Sequence, residues 1–479
     1  MEQTEIIETG TDNTRTGTEI MGTEKITKLL IKFGVPAIAT ILINSMYNMV
    51  DRIFVSNGVG YVALSAISLT SPVTWFMQAL AMLIGVGGHT IFAMRLGEKD
   101  YDSAEKVLGN TLAATTVLSV IKFVVLFIFL EPILRFLGAE GETLTYAVDY
   151  MRIILLGALF FAISNGMNNF VNTSGNPTMG MICLATGAVI NVVLDPLFIF
   201  VFGWGVKGAA IATIIAQCAS ACMVVGYFAK SRKSPVRLKL RDIRINLSLT
   251  LRSMKLGIAS ALSQATSGVV GAVINKTIVY YGGASGAIGG DIVLSAISAT
   301  TSTGMVFVIP AFGLQQAVQS LAGYNFGAKN YRRVKEIVKQ GVIMGLAVTI
   351  PGYIILHVFT GFFVSLYGNS DNTTFVEYAK WCMHVYNLTV PVLAVHSICN
   401  GYFLASGQAL KATVASLIRT VSMLPLTLIM PMFLGVNGCI IATPVSDVIG
   451  FTVAFTMLLL DMKRLSGLIA QQERLPEQA

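Results

Sequence analysis

The sequence predicts an all-α membrane protein with twelve transmembrane helices in two pseudo-symmetric six-helix lobes. Three observations carry this prediction: the composition, the length of the apolar runs and an internal repeat. Of the 479 residues, 54% are hydrophobic and 12% are charged, against about 25% charged in a typical globular protein. So many apolar side chains exceed what a soluble core can hide, and the excess must face hydrocarbon.

The apolar runs are long enough to cross a bilayer as helices, which takes about 20 residues each. Barrel strands are excluded because they would alternate polar and apolar residues. We predict twelve helices, near residues 29–56, 62–94, 108–132, 143–167, 178–202, 208–228, 250–280, 290–322, 336–366, 373–403, 411–433 and 438–461.

The basic residues give these helices an orientation. Of the 33 Lys and Arg residues, 25 fall in the termini and in alternate loops on one side, whereas 3 fall on the other side. Such an excess marks the cytoplasmic face, so both termini should be cytoplasmic. The net charge of +8 therefore reflects topology, and we expect no nucleic-acid partner.

The chain repeats itself at a constant offset. Residues 64–68 recur as 294–298 in all five positions, and residues 205–213 recur as 435–443 in six of nine, so the offset is 230 in both windows. Each copy holds six helices, an even number, so an axis along the membrane normal relates the two copies. Two such lobes can open a cleft to either side in turn, which is typical of an alternating-access transporter. The alternative is a duplication that only built a stable bundle.

The domain limits follow from this repeat and from the charge pattern. Thr and Glu dominate the N-terminal segment, which lacks an apolar leader and should be disordered. We predict a cytoplasmic tail at 1–24, an N-lobe at 25–229, a basic cytoplasmic linker at 230–249, a C-lobe at 250–465 and a second cytoplasmic tail at 466–479.

Polar side chains interrupt two of the predicted helices along one face. The first helix carries Asn44, Tyr47, Asn48 and Asp51 at i, i+3, i+4 and i+7, and the fifth carries Asn191 and Asp195 at i, i+4. If the two faces converge, their oxygens suit a hard monovalent cation, or a proton shared between the two acids. The alternative is that these acids bind no ion, because an Asp at a helix end can simply reach the membrane interface.

Two further features have a structural and a functional interpretation. Asn165, Asn168, Asn169 and Asn172 form one stripe on the fourth helix, which makes either a helix–helix hydrogen-bond seam or a cavity wall. Pro36 lies inside the first helix, where it permits a kink that is either a hinge or a tolerated bend.

The sequence contains no motif for a nucleotide-binding loop, a zinc protease or a nucleophile elbow. A membrane-embedded enzyme is therefore disfavoured, and transport should be driven by an ion gradient. At the offset of 230, Asn191 and Asp195 fall on Val421 and Pro425, so the carboxylate pair is confined to the N-lobe. A cation channel would need a ring of acidic side chains around its pore. A carboxylate pair confined to one lobe cannot form such a ring, which disfavours a channel.

These motifs together resemble the MATE (multidrug and toxin extrusion) family over about residues 25 to 465. The resemblance lies in Pro36, in the Tyr47-Asn48-x-x-Asp51 segment, in Arg95-Leu96-Gly97, in Ser174-Gly175-Asn176-Pro177-Thr178-Met179 and in Asn191-x-x-x-Asp195. It implies a cation-coupled antiporter without a cofactor.

The resemblance also implies site residues. In the DinF-like branch, the matching cation-binding positions are Asp51, Asn191, Asp195 and Thr213, which would hold Na⁺ if the protein is sodium-coupled. The positions that line the N-lobe cavity in that branch match Asn44, Tyr47 and Asn168. The NorM-like branch has a Glu on helix 7 and an Asp on helix 10. Here the helix 7 stretch 264–267 reads QATS and helix 10 has no carboxylate, which favours the DinF-like branch.

The resemblance thus predicts export of organic cations, drugs or amphipathic metabolites across the inner (plasma) membrane, in exchange for Na⁺ or H⁺. The expected partners are a small amphipathic or cationic substrate and the lipid bilayer, and the expected state is a monomer. The alternative is a flippase for lipid-linked oligosaccharides on a related fold. A flippase would need a basic cavity for pyrophosphate, and the spans offer only Arg152, Lys276, Lys380 and Arg419.

Overall fold

A computed structural model describes residues 18–59, 61–230, 234–284, 290–366 and 373–474. Within these ranges the regular structure is helical and no residue is in a β-strand. Eleven helices are long and apolar enough to cross a membrane, and one bent helix pair makes a twelfth span. The predicted all-α class and span count are therefore confirmed.

The first six spans contain seven helices. A bend of 59° separates α4 from α5, which together make one span. These helices are α1 (Ile26–Gly58), α2 (Tyr61–Gly97), α3 (Tyr101–Phe136), α4 (Gly141–Leu156), α5 (Ala158–Thr173), α6 (Pro177–Pro196) and α7 (Gly205–Lys230).

The other six spans contain eight helices, two of which are joined by a short 3₁₀ turn at Asn387–Thr389. The helices are α8 (Leu247–Ala284), α9 (Gly290–Gly327), α10 (Tyr331–Val358), α11 (Thr360–Ser365), α12 (Thr373–Tyr386), α13 (Val390–Ala405), α14 (Ala409–Leu434) and α15 (Val436–Arg474).

The internal repeat is visible in the backbone. Lys99 and Lys329, which are equivalent in the repeat, are the non-glycine residues with positive φ among those described, at 60° and 55°. Each is followed by a helix N-cap, Asp100 or Asn330, whose side chain accepts a hydrogen bond from a backbone amide three residues later. The same unusual turn therefore joins the second span to the third and the eighth to the ninth.

The bend in the fourth span also recurs. It lies at Gly157, and the 3₁₀ turn that begins at the equivalent residue, Asn387, interrupts the tenth span. A Cβ atom on Gly157 would lie 2.7 Å from Ile214 of α7, so glycine is needed for the close contact at this corner.

Two compact units divide the chain. The first comprises residues 1–261 and 323–329, and the second comprises residues 262–322 and 330–479. Each has its own apolar core. Many large apolar side chains outside these cores are exposed, as expected for surfaces that face lipid: Ile128, Phe129, Val193, Ile354 and Met432.

The described parts of the predicted tails and linker are ordered. Residues 18–23 form a helical turn in which Met21 is fully buried, and the Asn325 side chain donates a hydrogen bond to its carbonyl (3.0 Å). Order therefore begins before the predicted limit at residue 24, and residues 1–17 lie outside the described ranges. At the other end, α15 continues to Arg474.

The linker packs against the start of α3. Glu105 accepts a hydrogen bond from the Arg237 amide (3.0 Å) and forms an ion pair with Lys239. Asn110 accepts hydrogen bonds from the Asn246 amide (2.7 Å) and the Thr250 hydroxyl. The described part of this connection is thus held in place by polar side chains of the first unit.

Candidate cation-binding site

Three helices of the first unit supply the predicted cation ligands. Asp51 lies near the end of α1, Asn191 and Asp195 lie on one face of α6, and Thr213 lies on α7. α6 packs against both α1 and α7, which brings these side chains together. Asn191 and Asp195 are fully buried, and Asp51 and Thr213 are less than a tenth exposed.

Local sequence determines how α6 presents its two polar side chains. The helix begins at the N-cap Asn176, whose side chain accepts a hydrogen bond from the Met179 amide (3.3 Å), with Pro177 in the first turn. It ends at Pro196, after which Leu197–Val201 form a π-helical turn. Proline has no amide hydrogen to donate, and such turns often occur beside functional sites.

Close packing of α6 on α7 also depends on glycine. A Cβ atom on Gly187 would lie 2.1 Å from the Ser220 hydroxyl oxygen and 2.8 Å from the Ala216 carbonyl oxygen. Any larger residue would push the helices apart and separate Asn191 from Thr213.

Asn191 connects the ligand set. Its Nδ2 atom donates to Asp195 Oδ1 (3.1 Å) and lies 3.4 Å from the Thr213 hydroxyl oxygen. The carboxyl groups of Asp51 and Asp195 lie close enough to interact electrostatically. Two buried negative charges so close repel strongly, so a proton or a cation is needed to neutralise one of them.

Several buried oxygens of this cluster accept no hydrogen bond from any described residue. They are Asp51 Oδ1, Asn191 Oδ1, Asp195 Oδ2 and Gln217 Oε1. Buried acceptors are normally satisfied, and a group of exceptions indicates a bound water or ion. Carboxylate, amide and hydroxyl oxygens are the ligands that hard cations prefer, so this donor set fits Na⁺ as well as a proton.

Two small cavities adjoin the cluster. One, of about 140 Å³, is lined by Asp51, Tyr47 and Tyr150, and the other, of about 40 Å³, is lined by Asn44, Tyr47 and Asn165. Thr213 and Gln217 line both. The predicted substrate residues Asn44 and Tyr47 therefore lie beside the predicted cation ligands.

Two predicted residues lie elsewhere in the first unit. Asn168 is buried on α5, where its Nδ2 atom faces Gly180 of α6, and it lines neither cavity. Pro36 lies within a continuous α1, and its carbonyl accepts a hydrogen bond from the Thr40 hydroxyl (2.8 Å). The substrate role of Asn168 and the hinge role of Pro36 stay predictions. The side chain of Asn48, also predicted on the stripe, lies outside what the structure describes.

Sequence reasoning missed two residues of this region. Gln217 follows Thr213 by one helical turn, so helical spacing alone could have placed it on the same face. Tyr150 reaches the Asp51 cavity from α4, and no pattern on that helix distinguishes it from packing aromatics.

The second unit has no equivalent carboxylate pair among its described residues. Gly175 and Gly407 occupy equivalent positive-φ turns at an offset of 232, whereas Gly205 and Gly435 are equivalent at an offset of 230. Within α14 the offset is therefore 232, and Asp195 corresponds to Thr427 and not to Pro425. At neither offset does Asp195 correspond to an acidic residue of the second unit.

Comparison with known proteins gives consistent matches over most of the chain. The family model described as MatE matches residues 36–197 and 283–429. The "Multidrug export protein MepA" of Staphylococcus aureus strain MRSA252 is 28% identical over 424 residues, which is 86% of this chain and 89% of that protein. The protein of the same name from Staphylococcus saprophyticus is 26% identical and covers 92% of this chain and 95% of its own length.

Solved structures match the fold. A MATE protein in the bent conformation superposes with a TM-score of 0.85 at 22% identity, over 96% of this chain and 98% of its own. A MOP superfamily transporter from Pyrococcus furiosus gives a TM-score of 0.85 at 22% identity, over 94% and 98%. The predicted architecture of two pseudo-symmetric six-helix lobes is thereby confirmed.

Proposed function

This chain belongs to the MatE family, and we propose that it is an antiporter of the DinF-like branch that exports organic cations, drugs or amphipathic metabolites in exchange for Na⁺ or H⁺. The observation that carries the proposal is the burial of two acids, Asp51 and Asp195, in one cluster of the first unit, where Asn191 bonds Asp195 and Thr213, and Thr213 lines the Asp51 cavity. The relatives named as multidrug export proteins support the class of substrate.

The mechanism follows from the charge of this site. With both acids ionised, the buried pair is strained by repulsion and binds the incoming cation or proton. Once the charge is neutralised, the cavities beside Asn44 and Tyr47 lose their attraction for a cationic substrate. A bend of α1 at Pro36 would change the same cavities, because Tyr47 and Asp51 lie on that helix.

The membrane supplies the driving force. A monovalent cation that moves inward through 100 mV releases about 2.3 kcal/mol. The multidrug export relatives favour a plasma-membrane protein, and the basic loops favour the placement of both termini in the cytoplasm. We expect it to act as a monomer without a cofactor, because the proposed site is complete within one unit of one chain.

The test is efflux of ethidium from proteoliposomes under an imposed Na⁺ gradient or an imposed pH gradient. Asp51→Asn and Asp195→Asn keep the shape of the side chains but remove the charge, so each should lower gradient-driven efflux at least about tenfold. Asp149→Asn is the matched control, because Asp149 pairs with Lys207 (3.1 Å) outside both cavities. Undiminished efflux by Asp195→Asn would overturn the assignment, and no efflux by the wild type under either gradient would favour lipid-linked cargo instead.

A further inference from the structure

The second unit contains a cavity of about 420 Å³, three times the volume of the Asp51 cavity. This volume is within the range of about 300–1,000 Å³ that is typical of small-molecule sites. Its described lining comes from α8, α9, α12 to α15 and the 3₁₀ turn, all within this unit. None of its residues belongs to the proposed cation site.

The cavity is the repeat counterpart of the small cavity beside Asn44. Ser164, Asn165 and Gly187 correspond to His396, Ser397 and Arg419 at the offset of 232, and each of these six residues lines its own cavity. On the last helix of each repeat, Gln217 corresponds to Asp447 at the offset of 230. The two cavities are thus equivalent in position but differ in chemistry, since the described lining of the first is uncharged and that of the second includes Arg419 and Asp447.

An Arg419–Asp447 ion pair dominates this cavity. Arg419 Nε donates to Asp447 Oδ1 (2.5 Å), and the Thr389 hydroxyl donates to Asp447 Oδ2 (2.5 Å). The Asp447 side chain is 1% exposed, and each of its two oxygens already accepts a hydrogen bond. To bind Asp447, a cationic ligand would have to displace Arg419 and the Thr389 hydroxyl from this carboxylate, which is unfavourable.

The guanidinium group is available instead. The Arg419 side chain is 34% exposed and lines the cavity, and its two terminal nitrogens donate to no residue that the structure describes. A planar guanidinium binds a carboxylate through two parallel hydrogen bonds. Arg419 is the one permanent cation among the described lining residues, which matches a single negative charge better than a doubly charged phosphate.

The rest of the wall suits an amphipathic molecule. Asn400 accepts a hydrogen bond from the Ser416 hydroxyl (2.9 Å), and its amide nitrogen donates to no described residue. Gln264 provides a second amide on the α8 side. Apolar side chains form the remaining surface: Met305, Val308, Phe312, Val390 and Leu393.

We propose that this cavity binds a carboxylate-bearing amphipathic molecule, with the carboxylate held by Arg419 and the apolar part against α9 and α13. The site is separate from the cation site of the first unit. It does not depend on the proposed antiport, because it can be tested by equilibrium binding without a gradient.

The experiment compares dansylglycine with its methyl ester, which differs in lacking the negative charge. Fluorescence titration of the purified full-length chain in detergent should show saturable binding of the acid, at least about tenfold tighter than the ester. In the double variant Arg419→Met/Asp447→Leu, the acid should lose this preference while the ester still binds. Replacing both partners avoids an unpaired buried charge, so the variant should fold.

A second pair of variants tests the cavity without touching the ion pair. Val308→Trp places a large side chain in the cavity and should abolish binding of both probes. Val348→Trp makes the same change on an exposed face of α10 and should leave binding unchanged. Equal binding of acid and ester to the wild type, or a preference that survives in the double variant or in Val308→Trp, would overturn the proposal.

Discussion

Asp195 is the residue on which the properties of the first unit depend most directly. Its side chain is fully buried, it is hydrogen-bonded by Asn191, and it lies against a second acid, Asp51. A carboxylate in hydrocarbon is costly unless it is paired, and no Lys or Arg of the described chain forms an ion pair with either acid. Arg52 lines the Asp51 cavity without forming an ion pair, so we expect the neutralising partner of the two acids to be a proton or a cation from solution.

Gln217 should contribute one ligand to that ion, because its Oε1 atom is buried without a hydrogen-bond donor among the described residues. We expect Gln217→Leu to raise the Na⁺ or H⁺ concentration for half-maximal efflux about tenfold, as expected for the loss of about 1.5 kcal/mol from one charge-assisted contact. Maximal efflux should remain. Gln78→Leu on α2 is the matched control, since Gln78 lines neither cavity. An unchanged half-maximal concentration in Gln217→Leu would exclude it from the ligand set.

At the scale of elements, the turn before α3 offers a direct test of the repeat. The Ser103 hydroxyl and backbone amide donate hydrogen bonds to Asp100, which hold the pKa of Asp100 below its usual range. Asp100→Ala should lower the free energy of unfolding by about 1 kcal/mol, the usual value of an N-cap. Asp100→Asn should have little effect at neutral pH, because Asn330 caps the equivalent helix. Unfolding in mixed micelles, followed by circular dichroism, measures both changes.

The pH dependence of this cap has a definite sign. Because folding lowers the pKa of Asp100, its stabilising contribution is complete above the unfolded value of about 3.9 and is lost as the pH falls through the folded value. Asp100→Asn does not titrate, so acidification should destabilise the wild type more than this variant. A constant difference between the two at all pH values would contradict the cap.

The apolar runs were sufficient to predict the helices but not their interruptions. The bend at Gly157 lies in close contact with Ile214 on another helix, and Phe200 of the π-helical turn after Pro196 packs against Phe54 of α1. Contacts between helices leave no periodic pattern in the sequence of a single helix, so they could not be predicted from it. The repeat offset changes from 232 at Gly175 to 230 at Gly205, and the π turn lies between these two glycines.

At the scale of the whole molecule, composition and duplication determine most of what the sequence predicted correctly. The spans and the two lobes follow from them, the family was indicated by the resemblance of short motifs, and the helical spacing of Asn191 and Asp195 indicated their shared face. The ion pair of Arg419 with Asp447 was not predictable in detail, because the two residues lie on different helices and meet only after packing. The large cavity that this ion pair lines depends on the same packing of helices.

The antiport proposal links two binding events, and linkage is reciprocal: whatever the cation does to substrate affinity, substrate does to cation affinity. The most direct measurement is ethidium binding to the purified chain at equilibrium, with Na⁺ concentration and pH varied independently. Wild type should bind ethidium more weakly as one of the two ions is raised, whereas Asp195→Asn should not respond to that ion. The coupling site at Asp51 and Asp195 would be contradicted if the ethidium affinity of the wild type did not change with either Na⁺ concentration or pH. It would also be contradicted if Asp195→Asn responded to the ion as the wild type does.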